Sequence, residues 1–133
     1  MSTMPLSGAV VFAKDIRRVA AFYEHLCALV VVHAERDHIV LESGTVQLVV
    51  HAIPPAIART IQIAEPPVVR EQTPIKLFFA VPDLAQARAL ALQWGGEIAP
   101  AAREWEARGF RACDGHDPEG NVVQFRQAVV ASR

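Results

Sequence analysis

Two aspartates at matching strand-to-helix junctions, Asp15 and Asp83, stand 68 residues apart in a chain of 133. Before the first lies a short, apolar, β-rich run, residues 6–13, that reads as a buried strand, and before the second a strand-like run, residues 75–81. After each comes helical spacing: Ile16, Val19, Ala20, Tyr23 and Leu26 in the first half, Leu84, Ala87, Leu90 and Ala91 in the second. At the same offset Val11 matches Phe79, Ile16 matches Leu84 and Val19 matches Ala87. Each half then continues with strand-like runs, at 29–34, 38–41 and 46–52, and again at 97–101, 110–114 and 121–127. Ser43-Gly44 reads as a turn, Gly95-Gly96 as a helix stop, and Asp117-Pro118-Glu119-Gly120 as a type I turn. The expectation is an α+β chain, one domain over 1–133, in which a βαβββ unit occurs twice, at about 6–52 and 74–127. A lone unit cannot cover both faces of its sheet, so the halves must pack together or pair across a dimer. Residues 53–73, with Pro54, Pro55, Pro66 and Pro67, join them, and 57–63 could form a helical turn or a short strand.

Composition excludes several partners. Thirteen basic and fourteen acidic residues give a formal charge of −1, and aromatics make up 7%. That combination supplies neither the electrostatic footprint nor the stacking platform of a nucleic-acid binder, and no case for an anionic membrane surface. No apolar run approaches the ~20 residues that span a bilayer, and the first residues do not read as a secretory signal. Cys27 and Cys113 are not in a C-x-x-C arrangement, so two reduced thiols and a cytoplasmic location are expected. Lys14 and Lys76 are the only lysines. No G-x-S-x-G, phosphate-binding glycine loop or H-E-x-x-H occurs, so hydrolytic motifs give no support.

The order of pieces resembles the vicinal oxygen chelate superfamily, the glyoxalase / bleomycin-resistance / extradiol-dioxygenase group, over about 6–127. The carriers are the strand into Asp15-Ile16, then Phe22-Tyr23, Phe79-Ala80-Val81-Pro82-Asp83-Leu84, Gly95-Gly96, and Asp117-Pro118-Glu119-Gly120-Asn121 before Val122-Val123-Gln124-Phe125. The resemblance implies two βαβββ modules whose mixed sheet curls around a cavity, often completed in a homodimer. It also implies a divalent metal held by His, Glu or Gln on the first and last strands of each module.

Carried over position by position, that metal site is poor. Gly8 falls at the first ligand position and Lys76 at its counterpart; glycine has no ligand atom, and an ammonium repels a cation. Gln124 falls at the last strand of the second module, Val49 at that of the first, with His51 two residues on. Gln124 and His51 are fewer ligands than a metal needs, so no metal and no cofactor are expected. His25, His33 and His38 share no ligand-like spacing, so no second metal site is expected. His116 is expected in a solvated turn, and Trp94 in the core.

Strand alternation puts Lys76 and Phe78, Val122, Gln124 and Arg126, and Gly8, Val10 and Phe12 on the cavity side. Lys76, Gln124 and Arg126 would orient the polar atoms of a small organic ligand, and Phe78, Phe12 and Val10 its apolar part. His51 and Trp105 complete the candidate set; Trp105 could lid the cavity, stack on a flat ligand, or lie in the core or a dimer interface. No catalytic residue is assigned, and whether the chain is an enzyme stays open. The leading expectation is a metal-free, dimeric small-molecule binder. The alternatives are a metal-dependent lyase, isomerase or dioxygenase, in which His51, Gln124 and a carboxylate would converge, and an interaction module with a vestigial pocket.

Overall fold

The computed structural model describes residues 4–129. Both expected junctions form. Asp15 caps α1 (Ile16–Leu26) by accepting from the Arg18 amide, and Asp83 caps α3 (Leu84–Gln93) by accepting from Ala85 and Gln86. Such caps are worth about 1 kcal/mol each. The strands are β1 (Gly8–Ala13), β2 (Val30–Ala34), β3 (His38–Glu42), β4 (Gln47–Ala52), β5 (Leu77–Ala80), β6 (Glu97–Ile98), β7 (Trp105–Ala107), β8 (Phe110–His116) and β9 (Val122–Ala128).

They make two mixed sheets, β1-β4-β3-β2 and β5-β9-β8-β6, with β7 also on β8. In each sheet the first and last strands of the module pair in parallel, β1 with β4 and β5 with β9. The second module departs from the first at its outer strand, expected as one run over 97–101. Pro100 cannot donate to a ladder, and the chain leaves β8 through a 3₁₀ turn (Ala101–Arg103) before returning as β7. Arg88 on α3 holds that detour, donating to the Ala99 carbonyl at 2.7 Å and to Glu104 at 2.7 Å.

The helices cover one face of each sheet, and their apolar sides merge in one cluster. Phe22 meets Phe125 edge-on at 6.2 Å, and Tyr23 meets Phe79 at 5.5 Å, so α1 of the first module packs on strands of the second. The 117–120 turn reinforces that contact. It is not a solvated surface turn: Asp117 is fully buried and Glu119 almost so. Asp117 accepts from the Tyr23 hydroxyl at 2.7 Å, from Asn121 Nδ2 at 2.8 Å, and from the Glu119 and Asn121 amides at 2.9 and 3.0 Å. Glu119 accepts from the Lys14 and Asp15 amides at 2.8 and 2.7 Å, satisfying donors at the start of α1. His116, expected in solvent, is mostly covered, with Nδ1 on the Asp117 carbonyl at 3.0 Å. Trp94 packs against the core and stacks on His25 at 3.8 Å.

Residues 53–73 contain one helical turn, α2 (Pro55–Ala58), so the helical alternative holds, slightly upstream of the expected segment. The connection is pinned along its length. Arg18 grips Glu65 bidentately at 2.8 and 2.9 Å, the Lys14 ammonium donates to the Ile61 carbonyl, and the Arg70 amide donates to Gly120 at 2.8 Å.

Two outcomes follow. Burial first, and the adjacent Asp117 second, hold the Tyr23 hydroxyl well above the usual tyrosine range. A raised folded-state value stabilises the native state below the unfolded value near 10, and that stabilisation is lost as pH rises beyond it. Tyr23→Phe should therefore cost about 1–3 kcal/mol at neutral pH and flatten the alkaline limb of the stability curve, measured by urea denaturation. The module repeat also exposes a strained residue. After α3 the chain turns through Gly95 at φ +92°, but after α1 the same place holds Ala28 at φ 53°. Relieving the left-handed alanine outweighs the extra chain entropy of glycine, so Ala28→Gly should raise stability by about 0.5–1 kcal/mol in the same assay.

Candidate functional site

The face of each sheet opposite its helix is open. On β1, Val10 and Phe12 are 54% and 58% exposed, and on β5 Phe78 is 57% exposed, whereas Phe79, Val81, Val123 and Phe125 are buried beneath the helices. The alternation read from the sequence therefore assigns the faces correctly.

On the second sheet the open face carries a continuous polar chain. Lys76 donates to Asp114 Oδ2 at 2.8 Å, Gln124 Nε2 donates to Asp114 Oδ1 at 3.3 Å, and Arg126 Nε donates to Gln124 Oε1 at 2.7 Å. The Arg126 guanidinium lies 3.6 Å from the Phe78 ring centroid and 4.3 Å from that of Phe110. Phe110 in turn meets Trp105 edge-on at 5.7 Å. Four of the expected ligand contacts, Lys76, Phe78, Gln124 and Arg126, are thus linked on one surface, with Trp105 at its aromatic end. Both Lys76 and Asp114 are more than two-fifths exposed, so their ion pair contributes no more than about 0.2–1 kcal/mol and can be exchanged for a ligand anion.

Asp114 and Phe110 were not singled out from the sequence. The signal was present: a tight 117–120 turn sets the β8–β9 register, which places Asp114 opposite Gln124 and puts Phe110 on the same face four pairs further along.

His51 and Phe12 lie elsewhere. They are cross-strand partners on the first sheet, with ring centroids 5.7 Å apart, and His51 Nδ1 contacts the Ala52 carbonyl at 2.9 Å. Among the described residues no hydrogen bond, ion pair or ring contact joins this pair to the Lys76–Arg126 set, so the seven candidates form two groups.

Two grooves border the connecting segment around Thr73. One of ≈ 610 Å³ is lined by Lys76, Asp114, His116, Val122, Glu97 and Arg103, among others. The other, ≈ 770 Å³, runs beside Val10, Phe12, Leu77 and Val123. Thr73 from the connecting segment lines both. A smaller cleft of ≈ 220 Å³ brings Gly8 and Lys76, the two first-strand positions, to the same place.

A profile described as a glyoxalase-like domain matches residues 8–125. The chain belongs to the glyoxalase-like family, within the vicinal oxygen chelate superfamily. No curated protein matches the sequence significantly. Among solved structures, a glyoxalase/bleomycin resistance protein/dioxygenase family enzyme from Burkholderia phytofirmans PsJN is 18% identical, with TM-score 0.68 over 95% of this chain and 100% of that one. The fosfomycin resistance protein FosX from Mesorhizobium loti is 12% identical, with TM-score 0.63 over 98% and 96%. A bleomycin resistance determinant encoded on the transposon Tn5 is 18% identical, with TM-score 0.54 over 96% and 100%. At these identities the likeness is one of fold.

The metal that this superfamily implies does not fit the residues at its positions. A Cβ on Gly8 would fall 1.7 Å from the Gln47 carbonyl oxygen, so the backbone leaves no room for a ligand side chain there. Lys76 brings a positive charge, and both ends of the Gln124 amide are engaged, by Arg126 and by Asp114. Two cations, Lys76 and Arg126, flank this neutral donor, and the one carboxylate among them, Asp114, is already engaged by Lys76 and Gln124. Restoring a ligand by Gly8→His should not restore coordination; it should lower the unfolding free energy by at least about 2 kcal/mol through overpacking, read by urea denaturation.

Proposed function

We propose that the protein binds a small organic anion with a flat apolar body on the open face of the second sheet, with no metal at that site. The observation that carries this reading is the Arg126 guanidinium stacked between Phe78 and Phe110 and hydrogen-bonded to Gln124. That stacking fixes the cation on an apolar platform, and Lys76 stands at the other end of the same polar chain. A carboxylate or phosphate displaces Asp114 from Lys76 or meets the free edge of Arg126, while the ring system covers the exposed aromatic surface. We further propose a homodimer, because Val10, Phe12 and Phe78 leave apolar surface exposed on both open faces.

Thermal-shift screening with aromatic carboxylates and aryl phosphates should yield a stabilising compound. Its affinity should fall at least about tenfold in Arg126→Ala and in Lys76→Met, the loss expected for a charge-assisted contact, and should be unchanged by EDTA. No stabilising compound, or wild-type affinity in both variants, rejects the site; loss of affinity in EDTA rejects its metal-free character. Light scattering should give the mass of two chains, reduced to one by Val10→Asp; a wild-type monomer removes the dimer.

A further inference from the structure

Four rings run in a row across the first sheet, one per strand: Phe12, His51, His38 and His33. His51 is the cross-strand partner of both Phe12 and His38. The His38 and His51 rings stack at 5.7 Å and within 8°, and those of His33 and His38 are 5.5 Å apart. His33 would not belong to this row in a regular strand. Val31 pairs with Leu41 on the buried side, so His33, two residues on, would share that side; a register shift between them instead pairs His33 with Val40 on the open side. Bulges that re-aim one side chain in this way recur beside functional sites. His33 and His38, whose spacing carries no ligand-like signal, are brought together by a bulge that spacing does not reveal.

The β2–β3 turn, closed by the Glu35 amide on the His38 carbonyl at 2.8 Å, adds two carboxylates. Glu35 Oε2 lies 2.7 Å from His33 Nε2 and 3.6 Å from His38 Nε2. Asp37 Oδ1 takes the opposite nitrogen, His38 Nδ1, at 2.8 Å, and that hydrogen bond holds the Asp37 carboxyl below its usual range.

We propose that His33, Glu35 and His38 form a site for one divalent transition-metal ion of the Zn²⁺ class, with Asp37 as a positioning residue for His38. Ligand atoms of the three already lie within 4.8 Å of one another. Four ligands at about 2.0–2.1 Å in a tetrahedron sit about 3.4 Å apart, and the two measured separations, 2.7 and 3.6 Å, bracket that value. Two imidazoles and a carboxylate favour zinc, nickel or copper over magnesium or calcium. The carboxylate on the far nitrogen of a ligating histidine is the outer-shell arrangement that fixes ring orientation and raises basicity. Glu35 and His33 are exposed, so water completes the coordination. The site uses none of Gly8, Lys76 or Gln124 and stands independently of the organic-ligand reading; bound metal would clamp the β2–β3 hairpin and stabilise the fold by linkage.

Isothermal titration of the untagged, chelator-stripped chain with Zn²⁺ alone tests it. One ion per chain should bind, with affinity at least tenfold weaker in His33→Ala, His38→Ala and Glu35→Gln, and about tenfold weaker in Asp37→Asn. His25→Ala, whose ring stacks on Trp94 instead, should bind as the wild type does. Zn²⁺ should raise the melting temperature of the wild type and not that of His33→Ala, while Mg²⁺ does neither. The exposed Glu35→Gln keeps the assay interpretable if His38→Ala folds poorly. Absence of saturable Zn²⁺ uptake, or uptake undiminished in His33→Ala and Glu35→Gln, would falsify the site and leave a hydrogen-bonded surface cluster.

Discussion

The two buried carboxylates of the 117–120 turn hold the modules in register. Asp117 and Glu119 together accept six hydrogen bonds, and three of those come from the first module: the Tyr23 hydroxyl and the Lys14 and Asp15 amides. Burying a carboxylate without partners is prohibitive, and removing one donor exposes the full penalty. The turn is therefore committed to the place where the start of α1 and Tyr23 meet it. That placement sets how the β8–β9 hairpin faces the first sheet, and with it where Lys76, Asp114, Gln124 and Arg126 stand relative to Gly8.

Much of this was legible from a 68-residue echo. Asp15 and Asp83 announced the helix starts because capping is local chemistry, and the alternation of β5 and β9 separated Phe78 and Gln124 from Phe79 and Phe125 because a strand has period two. Three things escaped. The burial of Asp117 and Glu119 depends on partners about a hundred residues away, which no local pattern encodes. The detour between β6 and β7 depends on Pro100 and on an arginine from another element. The side on which His33 stands depends on a bulge, and one unpaired residue shifts the alternation after it.

The two open faces differ in chemical character. The second carries cations over aromatic rings, and the first a row of imidazoles with carboxylates at its end. The proposed ligands differ accordingly, an organic anion on one and a borderline transition-metal cation on the other. A glycine and a lysine at the superfamily's metal positions do not empty the molecule of metal-binding groups; nitrogen donors stand at the far edge of the first sheet.

The connection between the modules has a consequence for how the molecule yields. Fastened to α1 through Glu65 and Ile61 and to the 117–120 turn through Arg70, it keeps each half at high effective concentration for the other. A lesion at the joint is then met by rapid reassociation within the same chain. Weakening should show itself as breathing of the grooves around Thr73, before any parting of the halves.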